Sequence, residues 1–583
     1  MEKQGEASAA GEEEVPVDRI SALLDDIIHQ ILARLRSTKE AARTIVLSKR
    51  WVNLWRSYPV LEFDDRGFLS KQTAERLAKS VAAKFGSNNS TPPLGIRSVR
   101  IDFADYFDGA DWDVLPCSAF LDDLLKSAAA ATRSQSPREI DISCGYMEDF
   151  GEFDGRLTYD IPKGLLLLPC RQFPQFRGGL EILKLEFCSF REFVGVDLVG
   201  VGSSLRELTL RYVSLPDDRI LNGMIAGASR LESLTLSAIV EIRRLQVRNL
   251  PNLRALRCYA CDVEDLEITG ATSLEILCLS SPLGGELEVS SMPNLRKLEI
   301  DAWKLTDQKV NKLIAESPSL ETLKLTNPAQ VRNLKIVSSD RFRELTLVVW
   351  KESRAMAIEI DAPRLSNFSY HGAIVSFLRS IELGSKKKKK KNSTTTTAVP
   401  FYWYLYGHMF HNFNNLRQLY PRISEFRLTL DISFQSLSEW RRQEVTDEVS
   451  VVPRIERVIL PWDFSTLPDM DSFLDDLFQN FHPKYLSLTQ KSNLYSISEE
   501  TLLLALKYVC KTFHETDLTN RCGAECKCWR HQLKDVKMVK RAAGANGGTR
   551  VEDDADNNEV VDISTVVIST RTEIAEIWLL FEF

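Results

Sequence analysis

The sequence lacks the long apolar runs and the targeting pattern of membrane and secreted proteins. The 583-residue sequence contains no run of about 18 or more apolar residues, which is the length that a membrane helix requires. Residues 1–14 are acidic and alanine-rich, without the basic start and apolar segment of a secretory signal, and we expect a disordered leader. We therefore expect no membrane partner and a location in the nucleus, the cytoplasm or both, where the 11 cysteines would stay reduced.

The sequence also lacks a positive charge excess and the short motifs of common enzyme classes. Its 74 Lys and Arg residues are outnumbered by 81 Asp and Glu residues, giving a net charge of -7, which argues against nucleic acid as a partner. It has no phosphate-binding glycine loop, no Gly-x-Ser-x-Gly and no His-Glu-x-x-His. We predict a non-catalytic protein that uses no cofactor and binds other proteins.

Three short helices are predicted near the N-terminus. Apolar residues first recur at helical spacing at Leu24, Ile27, Ile28, Ile31, Leu32 and Leu35. Ser37 and Glu40 form a capping-box pattern that begins a second helix, predicted to continue through Ala41, Ala42, Ile45 and Leu47. Ser48 is the expected cap of a third helix, which carries Trp51 and Leu54 on one face. Helices this short cannot bury all their apolar surface against one another, so we predict that a partner covers the rest.

Residues 15–65 resemble the F-box of plant F-box/leucine-rich-repeat proteins. The resemblance rests on DRISALLDDII at residues 18–28 and AARTIVLSKRWVNLW at residues 41–55. It implies docking on a Skp-type adaptor and, through it, on a cullin-based ubiquitin ligase. The adaptor-binding residues that it implies are Leu23, Leu24, Ile27, Ile31, Leu47, Trp51 and Leu54. The alternative is that the leucines and tryptophans form only the core of a small helical domain.

One position departs from the family pattern. The family usually has Leu-Pro at the start of the first helix, where this chain has Leu23 and Leu24. Because proline presets the first helical turn, we expect its absence to change the affinity for the adaptor more than the identity of the motif.

From residue 180 the sequence repeats with a spacing of 21 to 26 residues. The repeats begin at Leu180, Leu205, Leu231, Leu253, Leu274, Leu295, Leu320, Phe342 and Leu365. This period is typical of leucine-rich repeats, and the alternation that ends each motif predicts a strand of one parallel sheet. The predicted fold class is therefore α/β: a short three-helix F-box followed by a curved leucine-rich-repeat solenoid.

A second alternating segment follows most repeat starts by 13 to 16 residues. Short strands are therefore predicted on the outer side at residues 245–247, 266–268, 287–289, 334–336 and 358–360. A helix is expected there only where a repeat lengthens, as at residues 307–316. Degenerate repeats are expected earlier, around residues 99–103 and 140–142.

The predicted domain order follows from these patterns. After the leader 1–14 and the F-box 15–65 come a solenoid at 66–383, a Lys/Thr linker at 384–399, further repeats at 400–540, an acidic disordered linker at 541–559 and an unassigned segment at 560–583. The six lysines of residues 386–391 also fit a nuclear localisation signal, although an insertion at the edge of a repeat is the favoured interpretation.

Two groups of cysteines could bind a metal but are not predicted to do so. Cys258 and Cys261 form a C-x-x-C pair at positions where leucine-rich repeats place structural residues. The second group comprises Cys522, Cys526, Cys528 and His531, with Cys510 and His514 nearby. Its spacing matches no closed zinc module, so no metal site is predicted.

The variable positions between the repeat leucines are predicted to face the concave side of the sheet. The central column comprises Lys184, Thr209, Thr235, Arg257, Cys278, Glu299, Lys324, Thr346 and Ser369. Its mixed polarity suits a polar protein or peptide, and the candidate substrate-binding residues are Arg257, Tyr259, Glu299 and Lys324. Arg257 and its neighbour Tyr259 are the favoured anchor, and both are equally well explained as ordinary exposed residues.

These patterns predict a substrate-recognition subunit of a Skp-cullin-F-box ubiquitin ligase. The alternative is a leucine-rich-repeat scaffold or small-molecule sensor that does not engage a ligase.

Overall fold

The computed structural model covers the full chain. It describes residues 23–32, 34, 38–56, 60–64, 98–102, 137–143, 179–186, 188, 190, 199–239, 242–280, 285–302, 304–337, 340–349, 356–362, 364–372, 378–383, 399–405, 426–432, 452–461, 470–489, 535–542, 558–561 and 574–582. Two compact units are present. Unit 1 comprises Met1–Asp149 and Ile161–Pro216, and unit 2 comprises Phe150–Asp160 and Asp217–Phe583.

The three predicted N-terminal helices are present in unit 1. They are α1 (Asp25–Leu32), α2 (Thr38–Arg43) and α3 (Lys49–Arg56), with a 3-10 turn at Thr44–Val46. The second helix was predicted to continue as far as Leu47, but α-helical structure ends at Arg43. The next three residues are all β-branched, which lowers helix propensity and explains the change to a 3-10 turn. Ser48 directly precedes α3, and its side-chain oxygen lies 3.5 Å from the amide nitrogen of Trp51.

Unit 1 also contains the first strands of the repeat pattern. They are β1 (Val60–Asp64), β2 (Ser98–Asp102), β3 (Glu139–Ser143), β4 (Ile182–Glu186) and β5 (Glu207–Arg211), with a short helix α4 (Val199–Gly202) before β5. All five strands pair in parallel in chain order. The early degenerate repeats predicted around residues 99 and 140 are therefore confirmed as strands.

Unit 2 contains most of the repeat array. Its strands are β6 (Ser233–Ser237), β7 (Arg244–Arg248), β8 (Ala255–Tyr259), β9 (Asp265–Thr269), β10 (Ile276–Ser280), β11 (Leu287–Val289), β12 (Lys297–Asp301), β13 (Thr322–Thr326), β14 (Asn333–Val337), β15 (Glu344–Val348), β16 (Met356–Asp361), β17 (Asn367–His371), β18 (Leu378–Leu383), β19 (Val399–Leu405), β20 (Phe426–Ile432), β21 (Arg454–Pro461), β22 (His482–Thr489), β23 (Asp535–Ala542), β24 (Asn558–Val561) and β25 (Ile574–Glu582). Its helices are α5 (Asp218–Gly227), α6 (Asp307–Ala315) and α7 (Met470–Asn480).

The main sheet of unit 2 is parallel in the order β6-β8-β10-β12-β13-β15-β17-β19-β20-β21-β22. Each five-residue strand places its second and fourth residues in the core, as Leu323 and Leu325 of β13 show. The first, third and fifth residues form the other side, which we call the open face. This alternation confirms the parallel sheet predicted from the repeats.

The predicted outer strands and the predicted helix are also present. Parallel sheets β7-β9-β11 and β14-β16-β18 account for the second alternating segment of the repeats. Helix α6 begins at Asp307, in one of the longer repeats, where a helix was expected. Helix α5 occupies another long repeat, and its first turn is capped by the Asp217 side chain, which accepts from the Arg219 amide at 2.8 Å.

The C-terminal segment that could not be assigned from sequence contains strand β25. This strand runs antiparallel to both β22 and β23, and β24 pairs antiparallel with β23. The last parallel strand is therefore covered by an antiparallel group of strands, which keeps its edge from pairing with other chains.

Alternating charges precede successive strands of the main sheet in unit 2. The series is Glu232, Arg254, Glu275, Arg296, Glu321 and Arg343. From the second member onward, each amide donates to the carbonyl oxygen of the preceding member at 2.8–2.9 Å. The Arg296 guanidinium forms two hydrogen bonds to the Glu321 carboxylate, at 3.0 and 3.1 Å, which lower the pKa of Glu321. Opposite charges thus face each other between neighbouring repeats, which favours this register over a shifted one.

Candidate docking surfaces

The helices of unit 1 share a small apolar core. Ile28 and Leu32 of α1 pack against Trp51 and Leu54 of α3, and all four side chains are buried. The partly buried side chains of Leu23 and Trp55 pack against this cluster.

A polar contact between α1 and α3 holds the two helices in place. Arg50 forms an ion pair with Asp25 at 2.6 Å and donates to the Leu23 carbonyl oxygen at 2.5 Å. His29 Nε2 lies 3.1 Å from the Leu54 carbonyl oxygen. The two helices are therefore joined by side-chain contacts at both their apolar and their polar positions.

A second group of apolar side chains, at the start of α1, within α1 and in the segment from the 3-10 turn to α3, is exposed. This surface, which we call the apolar surface, comprises Leu24, Ile27, Ile31, Ile45, Val46 and Leu47. The exposed fractions are largest for Val46, Leu24 and Leu47, at 84%, 72% and 61%. Exposed aliphatic side chains on so small a module are unfavourable in water, so they favour the binding of a partner protein.

The structure divides the predicted adaptor-binding residues into two groups. Leu24, Ile27, Ile31 and Leu47 lie on the apolar surface. Trp51 and Leu54 are only 4% and 3% exposed, and Leu23 packs beside them. The arrangement gives these three residues a packing role, and their contact with an adaptor stays a prediction.

Sequence reasoning missed two residues of this surface. Ile45 was assigned only to a helix, and Val46, its most exposed member, was not singled out. The signal available was a run of three apolar residues, Ile45 to Leu47, that no helical core could bury together.

The central column of the open face has the predicted register. Lys184 pairs with Thr209 in unit 1. In unit 2, the column runs through Thr235, Arg257, Cys278, Glu299, Lys324, Thr346 and Ser369. The structure extends it through Tyr402, Thr429, Arg457 and Tyr485, which sequence analysis did not include.

The four predicted substrate-binding residues fall into two pairs on this face. Arg257 and Tyr259 are two residues apart on β8 and point to the same side. Glu299 and Lys324 are register partners on β12 and β13, and Lys297 binds Glu299 at 3.0 Å. The Glu299 carboxylate is thus neutralised by its own neighbours.

The ionisation of these groups follows from burial and from the lysines. Burial alone would raise the pKa of Glu299, but the hydrogen bond from Lys297 and the charges of Lys297 and Lys324 outweigh it and lower that pKa. Burial raises the pKa of the Tyr259 phenol, and its hydrogen bond with Cys278 adds to the effect. Burial likewise raises the pKa of the Cys278 thiol. At neutral pH this part of the open face therefore carries a protonated phenol, a neutral thiol and an ionised Glu299.

Aromatic residues dominate the open face further along the sheet. The rings of His371 and Tyr404 are stacked with centroids 4.1 Å apart. Arg457 and Lys484 lie over the Tyr485 ring, at 5.8 and 4.9 Å from its centroid. Both cations are positioned for cation–π interactions with this ring.

The described cysteines fit the structural role predicted for them. Cys258 and Cys261 are buried free thiols, and Cys261 Sγ lies 3.2 Å from the Tyr259 carbonyl oxygen. Within the described ranges, no three His, Cys, Asp or Glu residues are placed to hold a metal ion. The group from Cys522 to His531 and the Lys/Thr linker lie outside the described residues. In the part of the chain that the structure describes, no helix has the length and apolarity of a membrane span.

Comparison with known protein families covers much of the repeat array. A family model for the leucine-rich-repeat domain of At1g61320/AtMIF1 matches residues 266–420. A second family model, for the leucine-rich repeats of FBD-associated F-box protein At5g56370, matches residues 166–290.

Individual relatives come from Arabidopsis thaliana. The chain is 26% identical to putative F-box/LRR-repeat protein At3g58880, over 38% of this chain and 43% of the relative. It is 27% identical to F-box/LRR-repeat protein 13, over 52% and 59% of the two chains, and 24% identical to F-box/FBD/LRR-repeat protein At3g52680, over 61% and 74%. The match thus spans about half the length of the first two relatives. These similarities confirm the resemblance predicted from the sequence.

Proposed function

We propose that this chain, a relative of the plant F-box/leucine-rich-repeat proteins, is the substrate-recognition subunit of a Skp-cullin-F-box ubiquitin ligase. The apolar surface of unit 1 would bind a Skp-type adaptor, and the repeats would bind a target protein in the nucleus or the cytoplasm. The chain itself would be non-catalytic. Holding the target near a ubiquitin-charged enzyme would raise the effective concentration of the target lysine at the thioester.

The proposal rests on the apolar surface of the N-terminal helices of unit 1, which we call the helical module. These apolar side chains are exposed although the module already has a buried core. Ile28 and Trp51 supply packing within the module, so Val46 and Leu47 are available to a partner. The names of the relatives, which include both an F-box and leucine-rich repeats, support the same division of roles.

The test is adaptor affinity of the full chain by titration calorimetry. Val46→Glu places a charge on the most exposed residue of the apolar surface, and we expect at least a tenfold loss of affinity, about 1.4 kcal/mol. The matched control is Gln30→Glu, which adds the same charge at an exposed position of α1 outside the apolar surface.

The control variant should bind within about twofold of wild type. Circular dichroism should show equal helix content in all three proteins. Equal affinity of Val46→Glu and wild type, or no adaptor binding by wild type, would contradict the proposal and favour the scaffold alternative.

A further inference from the structure

A single uncompensated charge lies on the open face at strands β6, β8 and β10. The nine open-face residues of these strands are Ser233, Thr235, Ser237, Ala255, Arg257, Tyr259, Ile276, Cys278 and Ser280. Arg257 is the one charged residue among the nine. Its register partners, Thr235 and Cys278, are both small and uncharged.

The nearest acidic side chain along the central column does not balance Arg257. The backbone of Glu299 lies two strands from that of Arg257, about 10 Å by the strand spacing of a sheet, and the Glu299 carboxylate hydrogen-bonds with the Cys278 thiol on the strand between them. Lys297 binds Glu299 at 3.0 Å, and Lys324 is its register partner on the other side. Among the described residues, no ion pair joins Arg257 to a carboxylate.

Hydrogen-bonding residues occupy the register positions beside Arg257 and Tyr259. Thr235 and Ser237 on β6 are both half-buried, and their hydroxyl groups flank the β8 positions of Arg257 and Tyr259. The Tyr259 hydroxyl stays protonated at neutral pH, because burial raises its pKa. Cys278, the register partner of Arg257 on β10, is uncharged and only 1% exposed. The register positions beside Arg257 therefore offer hydrogen-bond donors to an anion. The negative charge of Glu299, whose carboxylate hydrogen-bonds with the Cys278 thiol, is offset by Lys297 and Lys324.

The geometry points to a binding site for a carboxylate side chain, Asp or Glu, on an acidic segment of the target protein, held by Arg257 with Tyr259 and the β6 hydroxyls. One guanidinium matches one carboxylate in charge and can bind it through two parallel hydrogen bonds. A phosphate group carries nearly two charges and is typically bound by a cluster of arginines, which these three strands do not contain. The site rests on the proposed function only in naming the bound protein as a target for ubiquitination.

The probe is a set of short peptides selected from a random display library on the immobilised full chain. We expect the selected peptides to share an Asp or Glu. In solution, their affinity should fall about tenfold or more for Arg257→Met, and less for Arg257→Lys, which keeps the charge but loses the two-pronged geometry. Tyr259→Phe should cause a smaller loss, of about threefold.

A control variant separates this site from general electrostatic attraction. Arg230→Met removes a positive charge at an exposed position in the turn before β6, outside the open face, and should leave peptide affinity within about twofold. Changing the shared Asp or Glu of the peptides to Asn or Gln should weaken their binding to wild type. The same change should cause no further loss of affinity for Arg257→Met, which already lacks the guanidinium. All variants should have the melting temperature of wild type.

Several results would overturn the inference. They are selected peptides without an acidic residue, no selected peptide that depends on Arg257, equal losses for Arg257→Met and Arg230→Met, or displacement of the peptide by inorganic phosphate but not by acetate. The last result would indicate a phosphate site. Val46→Glu should retain peptide binding, so loss of adaptor binding alone would remove the proposed ligase role and leave this site in place.

Discussion

The helical module of unit 1 and the repeat array of unit 2 differ in where their apolar side chains lie. The module is small, buries four apolar side chains, and leaves six others exposed on the apolar surface. In the array, strands such as β13 bury both of their leucines and leave threonine and lysine half-buried on the open face. The difference indicates two modes of binding: hydrophobic burial at the module, and polar or charged contacts at the open face of the array.

The largest expected effect separates packing from docking within the module. Trp51→Ala removes a buried aromatic side chain and should destabilise the module by about 3–5 kcal/mol. Hydrogen exchange of the full chain should show lost amide protection in α1 and α3, with β8 to β13 unchanged. Adaptor binding would then fail because the module unfolds.

The matched control for this prediction is Val46→Ala, a truncation on the apolar surface. Since Val46 is exposed, its loss should change stability by less than about 0.5 kcal/mol. Normal protection in Trp51→Ala would show that Trp51 is not part of the core, and would return it to the set of adaptor contacts.

A smaller effect concerns the alternating charges of the array. The pKa of Glu321 is lowered by its hydrogen bonds from Arg296, so its contribution to stability is present above the ordinary carboxylate pKa and is lost as pH falls through the lowered one. Glu321→Gln should cost about 0.5–1 kcal/mol at pH 7. The difference from wild type should shrink as the pH falls below the ordinary carboxylate pKa, and should disappear once Glu321 is protonated in the folded protein.

Denaturant unfolding of both proteins at neutral and acidic pH measures this difference. A gap between the two proteins that persists in acid would mean that Glu321 acts through packing and not through its charge.

The repeat array could be predicted from sequence because its signal is local. A leucine at the second or fourth position of β13 is buried by the strand alternation itself, so periodicity predicts both the strand and its inward face. Repeat length, which is also a local feature of the sequence, predicted helix α6 in one of the longer repeats.

The division of the helical module into buried and exposed residues could be predicted only in part, because all six positions of the helical stripe at residues 24–35 are apolar. Ile28 and Leu32 face α3, whereas Leu24, Ile27 and Ile31 do not, and this division depends on where α3 packs. Periodicity alone cannot distinguish the two sides.

Strand β25 could not be predicted for a related reason. Its partners β22 and β23 precede it in the chain by tens of residues, and no local pattern specifies an antiparallel strand between them.

The central claim, that the two regions bind different partners, is tested most directly by hydrogen exchange of the full chain with and without a Skp-type adaptor. We expect slower exchange in residues 24–47, which contain the apolar surface, and unchanged exchange in strands β6 to β13. Slower exchange in those strands with no change in residues 24–47 would contradict the claim.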